Sequence, residues 1–214
     1  MLARLYHATW GRAFAWGFDR FQAASEDAGM REHRRRLVAA ASGRTLELGA
    51  GTGANVELYP EAVTELVLTE PFGPMAARLR ERVLRAGRDD AVVEVGAEQL
   101  PFAADSFDTV VVTLVLCTVE DPAAALDEIA RVLRPGGSFL FLEHVRSSDP
   151  KLARRQDRLH RPWHLFAHGC NCNRDTLAAI ESSPLLGAVT SRSAVPKAPA
   201  LVRPLLEGVA HAPR

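Results

Sequence analysis

The stretch Thr45-Leu-Glu-Leu-Gly-Ala-Gly-Thr-Gly-Ala-Asn55 constrains this chain more than any other. It reads as a short buried strand, a glycine turn and the start of a helix. Gly49, Gly51 and Gly53 can take positive φ without penalty, and they let a ligand approach the backbone closely. The free N–H groups of such a turn sit at the positive end of a helix dipole and point at whatever lies above. The arrangement belongs at the mouth of a parallel sheet, where nucleotides bind.

The rest of the chain supplies that sheet. Strands are expected over residues 45–48, 65–69, 91–95, 109–117 and 138–143. Residues 109–117 are almost continuously apolar and rich in β-branched side chains, as a central strand buried on both faces requires. Helices are expected from the glycine turn to about residue 58, over 75–86, and from Asp121-Pro122 to residue 133. In the third, Asp121 is the N-cap and Pro122 the first turn. Further helices are expected over 32–41, over 152–168 (broken by Pro162), and over 176–181, with a last hairpin formed by 188–195 and 205–210. Pro196, Pro199 and Pro204 fall in the loop of that hairpin. Alternating strands and helices demand right-handed crossovers. The fold class is α/β, Rossmann-like, with a mostly parallel seven-stranded sheet and helices on both faces.

A length of 214 residues, 47% of them hydrophobic, suits one domain with a substantial core. Its expected parts are a helical cap over 1–41, a cofactor-binding core over 45–145, and a substrate-side insertion with the last strands over 146–214. Lys plus Arg and Asp plus Glu are both 26, so no net field draws nucleic acid. Cys117, Cys170 and Cys172 are an odd, sparse set and imply a reducing, cytoplasmic setting. No apolar run reaches membrane-spanning length, and Arg4, His7 and Arg12 interrupt any signal-peptide core, so stable membrane insertion is not expected. Residues 1–24 carry Leu2, Leu5, Tyr6, Trp10, Ala13, Phe14, Phe18 and Phe21 at helical spacing. A helix docked on the core is the first reading; a lid over a substrate pocket and a membrane-surface helix are the others. The Arg34-Arg35-Arg36 run reads as a solvated face.

Gly49-x-Gly51-x-x-Ala54, with Glu70 about 20 residues on, fits the dinucleotide fingerprint. On those residues alone NAD and S-adenosylmethionine both remain open. Neither Tyr6 nor Tyr59 has a Lys four residues on, so the short-chain dehydrogenase pair is missing. Four motifs resemble the class I S-adenosylmethionine-dependent methyltransferases, in order over residues 45–145. They are Glu47-Leu-Gly-Ala-Gly-Thr-Gly53, Glu98-Gln-Leu-Pro-Phe102, Asp105-Ser-Phe-Asp108 and Arg131-Val-Leu-Arg-Pro-Gly-Gly137. The resemblance implies S-adenosyl-L-methionine as cofactor and S-adenosyl-L-homocysteine as its product. It also implies that Glu47, Gly49, Ala50, Gly51, Gly53 and Asn55 surround the methionine end. Glu70 would take the ribose diol, Pro71 and Phe72 would face the adenine, Ala97 and Glu98 would sit at its edge, and Thr113 and Leu114 would border the methionine chain. Many relatives carry Asp where this chain has Gly96.

Residues beyond that core speak to the acceptor. Thr52-Gly-Ala-Asn55 with Tyr59-Pro60, Thr113-Leu-Val-Leu-Cys117, Glu143-His-Val145, Pro162-Trp-His-Leu165, Gly169-Cys-Asn171 and Leu201-Val-Arg-Pro204 are similar to the vertebrate methyltransferase-like alkyl-thiol S-methyltransferases. That resemblance implies a small, apolar thiol substrate, a reduced dithiol natural product among the candidates. An O-, N- or C-methyltransferase of a natural product or quinone shares the core motifs, and a non-catalytic nucleoside-binding protein or an NAD oxidoreductase would share the glycine turn. A thiol with pKa of about 8.5 needs only mild help to become the reactive thiolate. A histidine can take that proton. His144, directly after the fifth strand, and His164, beside Trp163, are the candidates. Cys170 would be a pocket residue and Asn171 would orient an imidazole. Cys117 reads first as a small core hydrophobe. His160, His164 and His168 have i, i+4, i+8 spacing, yet Pro162 disrupts the helix that would align them, and no metal is expected.

Overall fold

The computed structural model describes residues 11–195 and 197–214. Leu2, Leu5, Tyr6 and Trp10, with the start of the expected first helix, lie outside the described residues, as does Pro196. In chain order the elements are α1 (Arg12–Ser25), α2 (Arg31–Val38), β1 (Gly43–Leu48), β2 (Val63–Thr69), α3 (Gly73–Arg85), β3 (Ala91–Val93), β4 (Phe107–Thr113), α4 (Pro122–Val132), β5 (Leu133–His144), α5 (Pro150–Phe166), α6 (Thr176–Glu181), β6 (Leu186–Ala194) and β7 (Pro204–His211). A π-turn, Glu26–Met30, joins α1 to α2, with its kink at Gly29. The strands form one seven-stranded sheet in the order β3-β2-β1-β4-β5-β7-β6. All pairings are parallel except those of β7, which runs antiparallel to both β5 and β6. The expected class of fold is the observed one. Among the described residues, no helix is long and apolar enough to cross a membrane.

The pleat divides the core in two. Leu46 and Leu48 of β1, Val110 and Val112 of β4, and Phe139 and Phe141 of β5 face α4 and α6, where Ala125, Leu126, Ile129 and Ile180 meet them. Val111, Leu140 and Leu142 point the other way, onto Leu37 and Val38 of α2 and Leu79 and Val83 of α3. Alternation along β1 therefore turns Thr45 and Glu47 to the α2 side. Each buried Leu, Val or Phe contributes roughly 1.5–3 kcal/mol.

Several elements depart from expectation. The helix expected after the glycine turn is a run of tight turns, with Gly53 N–H to Ala50 O, Val56 N–H to Gly53 O and Leu58 N–H to Asn55 O. Gly53 at φ +88 cannot sit inside an α-helix. Strand β4 stops at Thr113 rather than running to Cys117, because Leu114 takes φ +61 and turns the chain. Pro162 does not break α5; it lies on the solvent side, where water can take the carbonyl it leaves free. Asp121 caps α4 as expected, accepting from Ala123 N–H at 2.9 Å and Ala124 N–H at 3.2 Å.

Candidate active site

At the carboxyl ends of β1, β2 and β4 lies a cavity of about 880 Å³. The glycine turn forms its floor. Gly49 adopts φ +58, and a Cβ there would meet Val115 Cγ2 at 2.6 Å, so only glycine lets the turn pass under that side chain. The turn is pinned from β2, with Ala50 N–H donating to Thr69 O at 2.8 Å. Glu70 closes the edge of the floor. Its Oε2 accepts from Gly51 N–H at 3.0 Å and its Oε1 from Phe72 N–H at 2.9 Å. Burial pushes its carboxyl above the usual range, against those two bonds.

Of the residues expected around a nucleoside, Gly49, Ala50, Gly51, Glu70, Pro71, Phe72, Ala97, Glu98, Thr113 and Leu114 line the cavity. Gly96 lies beside them. Glu47, Gly53 and Asn55 are not on its wall. Glu47 is 1% exposed and faces α2, where it accepts from Asn55 Nδ2 at 2.8 Å and Tyr59 Oη at 2.7 Å. Burial pushes its pKa up, with Tyr59, Arg34 and Asn55 pulling it down. The partner this buried acid needs is thus supplied by the protein itself.

Sequence reasoning missed Arg34. It is 4% exposed, far from the solvated face expected of it, while Arg35 and Arg36 are exposed. Its Nη1 donates to Thr113 Oγ1 at 3.0 Å and its Nε to Glu26 Oε1 at 3.0 Å, and it reaches the cavity wall. A buried arginine beside a buried acid is stable only as part of such a network. The signal available in sequence was Glu47 itself, an acid within an apolar strand that required a cation or donors on the same face.

Helix α1 roofs the cavity with Phe14, Phe18 and Gln22. It is docked by Asp19, which accepts from Thr52 Oγ1 of the glycine turn and pairs with Arg78 at 2.8 Å and Arg82 at 3.3 Å on α3. Docking and covering are therefore one arrangement. His168 completes the wall. Its ring stacks on Phe14 at 5.3 Å between centroids and lies 4.7 Å from Phe72. The sequence singled this residue out only as part of a metal stripe.

The residues expected at the acceptor are elsewhere. His144, His164, Cys170 and Asn171 do not line the cavity. Asn171 does meet two imidazoles, with its Oδ1 2.6 Å from His160 Nε2 and 3.1 Å from His164 Nδ1. Its Nδ2 donates to Cys117 O at 3.1 Å, so the cluster ties α5 to the end of β4. Glu143, another missed acid, holds the chain beyond β4: its Oε1 accepts from Val115 and Leu116 N–H and its Oε2 from Cys117 N–H. Burial pushes its pKa up to about 7 despite those bonds.

The donor set fits a nucleoside joined to an amino acid. Glu70 offers acceptors to a diol, Arg34 offers a cation to a carboxylate, and a Cβ at Gly51 would find its nearest atom, Met75 Cε, 3.7 Å away, so there is room above the turn.

Comparison with known proteins agrees. The family profile described as "Methyltransferase domain" matches residues 46–141. Thiol S-methyltransferase TMT1A of Homo sapiens is 34% identical over 170 residues, 77% of this chain and 69% of that protein. Thiol S-methyltransferase TMT1B of Rattus norvegicus is 35% identical over 64% of this chain, which spans only 58% of that relative's length. Phosphatidylethanolamine N-methyltransferase of Cereibacter sphaeroides is 33% identical over 71% of this chain and 80% of its own. Among solved structures, a possible histamine N-methyltransferase of Thermotoga maritima aligns with TM-score 0.70 at 20% identity, covering 95% of this chain and 97% of its own. The N-methyltransferase NodS of Bradyrhizobium japonicum, solved with S-adenosyl-L-homocysteine, aligns with TM-score 0.64 at 22% identity over 86% of each chain.

Proposed function

We propose a small apolar thiol as the acceptor for this chain, which belongs to the class I S-adenosylmethionine-dependent methyltransferases and takes its methyl group from S-adenosylmethionine. The observation that carries the acceptor assignment is the apolar part of the cavity lining, supplied by Phe14, Phe18, Leu114, Val115, Val119 and Ala167. Such a lining favours an apolar acceptor over a charged one. The relatives described as thiol S-methyltransferases support the same choice.

When bound, the cofactor supplies a methyl group on a sulfonium, already activated for in-line displacement. This chain's residues bind, orient and exclude water. Glu70 accepts from the ribose diol while it keeps the glycine turn in place. Arg34 receives the carboxylate of the methionine end, held in position by Thr113 and Glu26. Glu47 acts at one remove: it fixes Asn55 and Tyr59 and balances the charge of Arg34. Phe14, Phe18 and His168 cover the site and keep the acceptor close. A few per cent of an ordinary thiol is already thiolate near neutrality, so positioning does most of what the reaction asks.

The test is a methyl-transfer assay with isotope-labelled S-adenosylmethionine against separate thiols, phenols, amines and quinols, read by mass spectrometry. Methyl thioethers, with no product from the other classes, are the expected outcome. Product on nitrogen, oxygen or carbon alone would overturn the thiol assignment and leave methyl transfer standing.

A further inference from the structure

Behind the cavity wall, one cluster of soft donor atoms takes no part in the chemistry above. Cys117 lies in the turn after β4, His144 is the last residue of β5, and Cys170 lies in the loop after α5. The two sulfurs are 3.9 Å apart, and His144 Nδ1 is 4.0 Å from Cys170 Sγ. All three donor atoms lie within 4.8 Å of one another.

The sulfur–sulfur separation is the one that a bound metal ion sets. Two metal–sulfur bonds of about 2.3 Å at a tetrahedral angle place their sulfurs roughly 3.8 Å apart. A metal–nitrogen bond of about 2.0 Å places the nitrogen roughly 3.5 Å from each sulfur. The sulfurs already stand at that spacing, and a rotation of the half-buried imidazole brings the nitrogen in. Cys117 is 1% exposed and Cys170 6%, within the apolar cluster that also holds Leu114 and Trp163. The scaffold is fixed before any ion arrives. Glu143 holds Cys117 N–H at 3.1 Å, and Asn171 N–H holds Cys117 O at 2.7 Å. Because the Glu143 oxygens are engaged by three backbone N–H groups, the site offers sulfur and imidazole to an ion and suits a soft one.

We propose that Cys117, His144 and Cys170 bind one closed-shell thiophilic cation, Zn²⁺ or Cu⁺. Binding displaces to solvent the protons still held on the two sulfurs, and the imidazole coordinates through Nδ1. With Zn²⁺ the charges of ion and thiolates cancel, and a fourth ligand, water, enters on the half-buried His144 side. With Cu⁺ the three donors complete a trigonal set. Either ion ties the loop that carries Ala167 and His168 to the β4 end that carries Leu114 and Val115, and all four of these residues line the cavity.

The test uses the full chain, stripped with a chelator and kept reduced by a phosphine. Zn²⁺ alone is titrated in one arm, and Cu⁺ alone against a competing chelator in the other. One ion per chain, with release of protons, is the expected result in at least one arm, accompanied by a raised unfolding midpoint. Co²⁺ as an optical probe should show sulfur-to-metal charge-transfer absorption. Cys117→Ser and Cys170→Ser should each weaken binding by about tenfold or more, while Cys172→Ser should not. In the unmutated chain one equivalent of ion should slow alkylation of Cys170, which keeps the test valid if a variant fails to fold. No stoichiometric binding in either arm, binding undiminished by both substitutions, or an unchanged alkylation rate would overturn the site.

Discussion

Replacing Glu70 tests the cofactor geometry most finely, because this carboxylate has two tasks that can be separated. Each oxygen already accepts one backbone N–H, from Gly51 at 3.0 Å and from Phe72 at 2.9 Å. A carboxylate has about four acceptor positions, so two remain for a diol. Hydrogen bonds to a charged group contribute about 1.5–3 kcal/mol. Glu70→Ala should therefore weaken binding of S-adenosylhomocysteine by roughly 1.5–3 kcal/mol, about ten- to 150-fold in Kd. It should also lower stability by roughly 1–3 kcal/mol through the two loop bonds lost. Glu70→Gln keeps an acceptor on the amide oxygen and should fall between Ala and the parent in both measurements. Calorimetric titration gives the affinity, and a thermal melt followed by circular dichroism gives the stability. Burial raises the Glu70 pKa, and its charged form is the better acceptor. Affinity should therefore drop as pH is lowered through that raised pKa, and the Gln variant should lose this dependence. A Kd within about twofold of the parent in Glu70→Ala, with the melt lowered, would reduce Glu70 to a loop anchor and refute its part in binding.

Other expectations follow from the same geometry. Gly49→Ala should destabilise the fold more than Gly51→Ala. Both positions have positive φ, at about 1–2 kcal/mol for a residue with Cβ, but only at Gly49 would the new methyl meet a side chain at 2.6 Å; equal melts would refute the distinction. Glu143 has its folded pKa raised from 4.5 to about 7, so the native state holds the proton more tightly than the unfolded chain. Its stabilising contribution is complete below about pH 4.5 and fades as pH rises to about 7, a span of ~3 kcal/mol; the difference in urea stability between the parent and Glu143→Gln should change across that window, and a constant difference would contradict it. If the chain mainly positions its acceptor, kcat/KM for a given thiol should rise about tenfold per pH unit below the thiol's own pKa and level off above it. A plateau that stays put when the thiol pKa is changed would instead point to a group on the protein.

Patterns that depend on near neighbours in sequence were readable before the structure. The nearly continuous apolar run of 109–117, the alternation of strand and helix signals and the Asp121-Pro122 cap placed the sheet, and the spacing from Gly49 to Glu70 picked out two residues that line one cavity. What escaped depends on which distant groups meet. Arg34 reads as part of a charged run, and only the packing of α2 against the sheet shows that it shares a face with Glu47 and Thr113. Leu114 looked like one more residue of an apolar strand, yet the Glu143 carboxylate waiting beyond β4 favours a turn that frees three N–H groups to reach it. In the sequence, His144 stands out for its position after a strand and His164 for its place beside an aromatic. Which histidine reaches the cavity is decided by the reversal of the chain after α5, where His168 takes φ +48 and lies between Phe14 and Phe72. Pro162 warned of a break that solvent exposure makes unnecessary.

The most direct test of the acceptor atom is one molecule that carries both candidates. An aryl compound with one thiol and one hydroxyl, incubated with this chain and S-adenosylmethionine bearing a labelled methyl group, reports the choice in a single product. A thioether with the hydroxyl intact, formed only when enzyme and cofactor are both present, is the predicted result. A methyl ether with the thiol intact would contradict the assignment of sulfur as the atom this cavity serves.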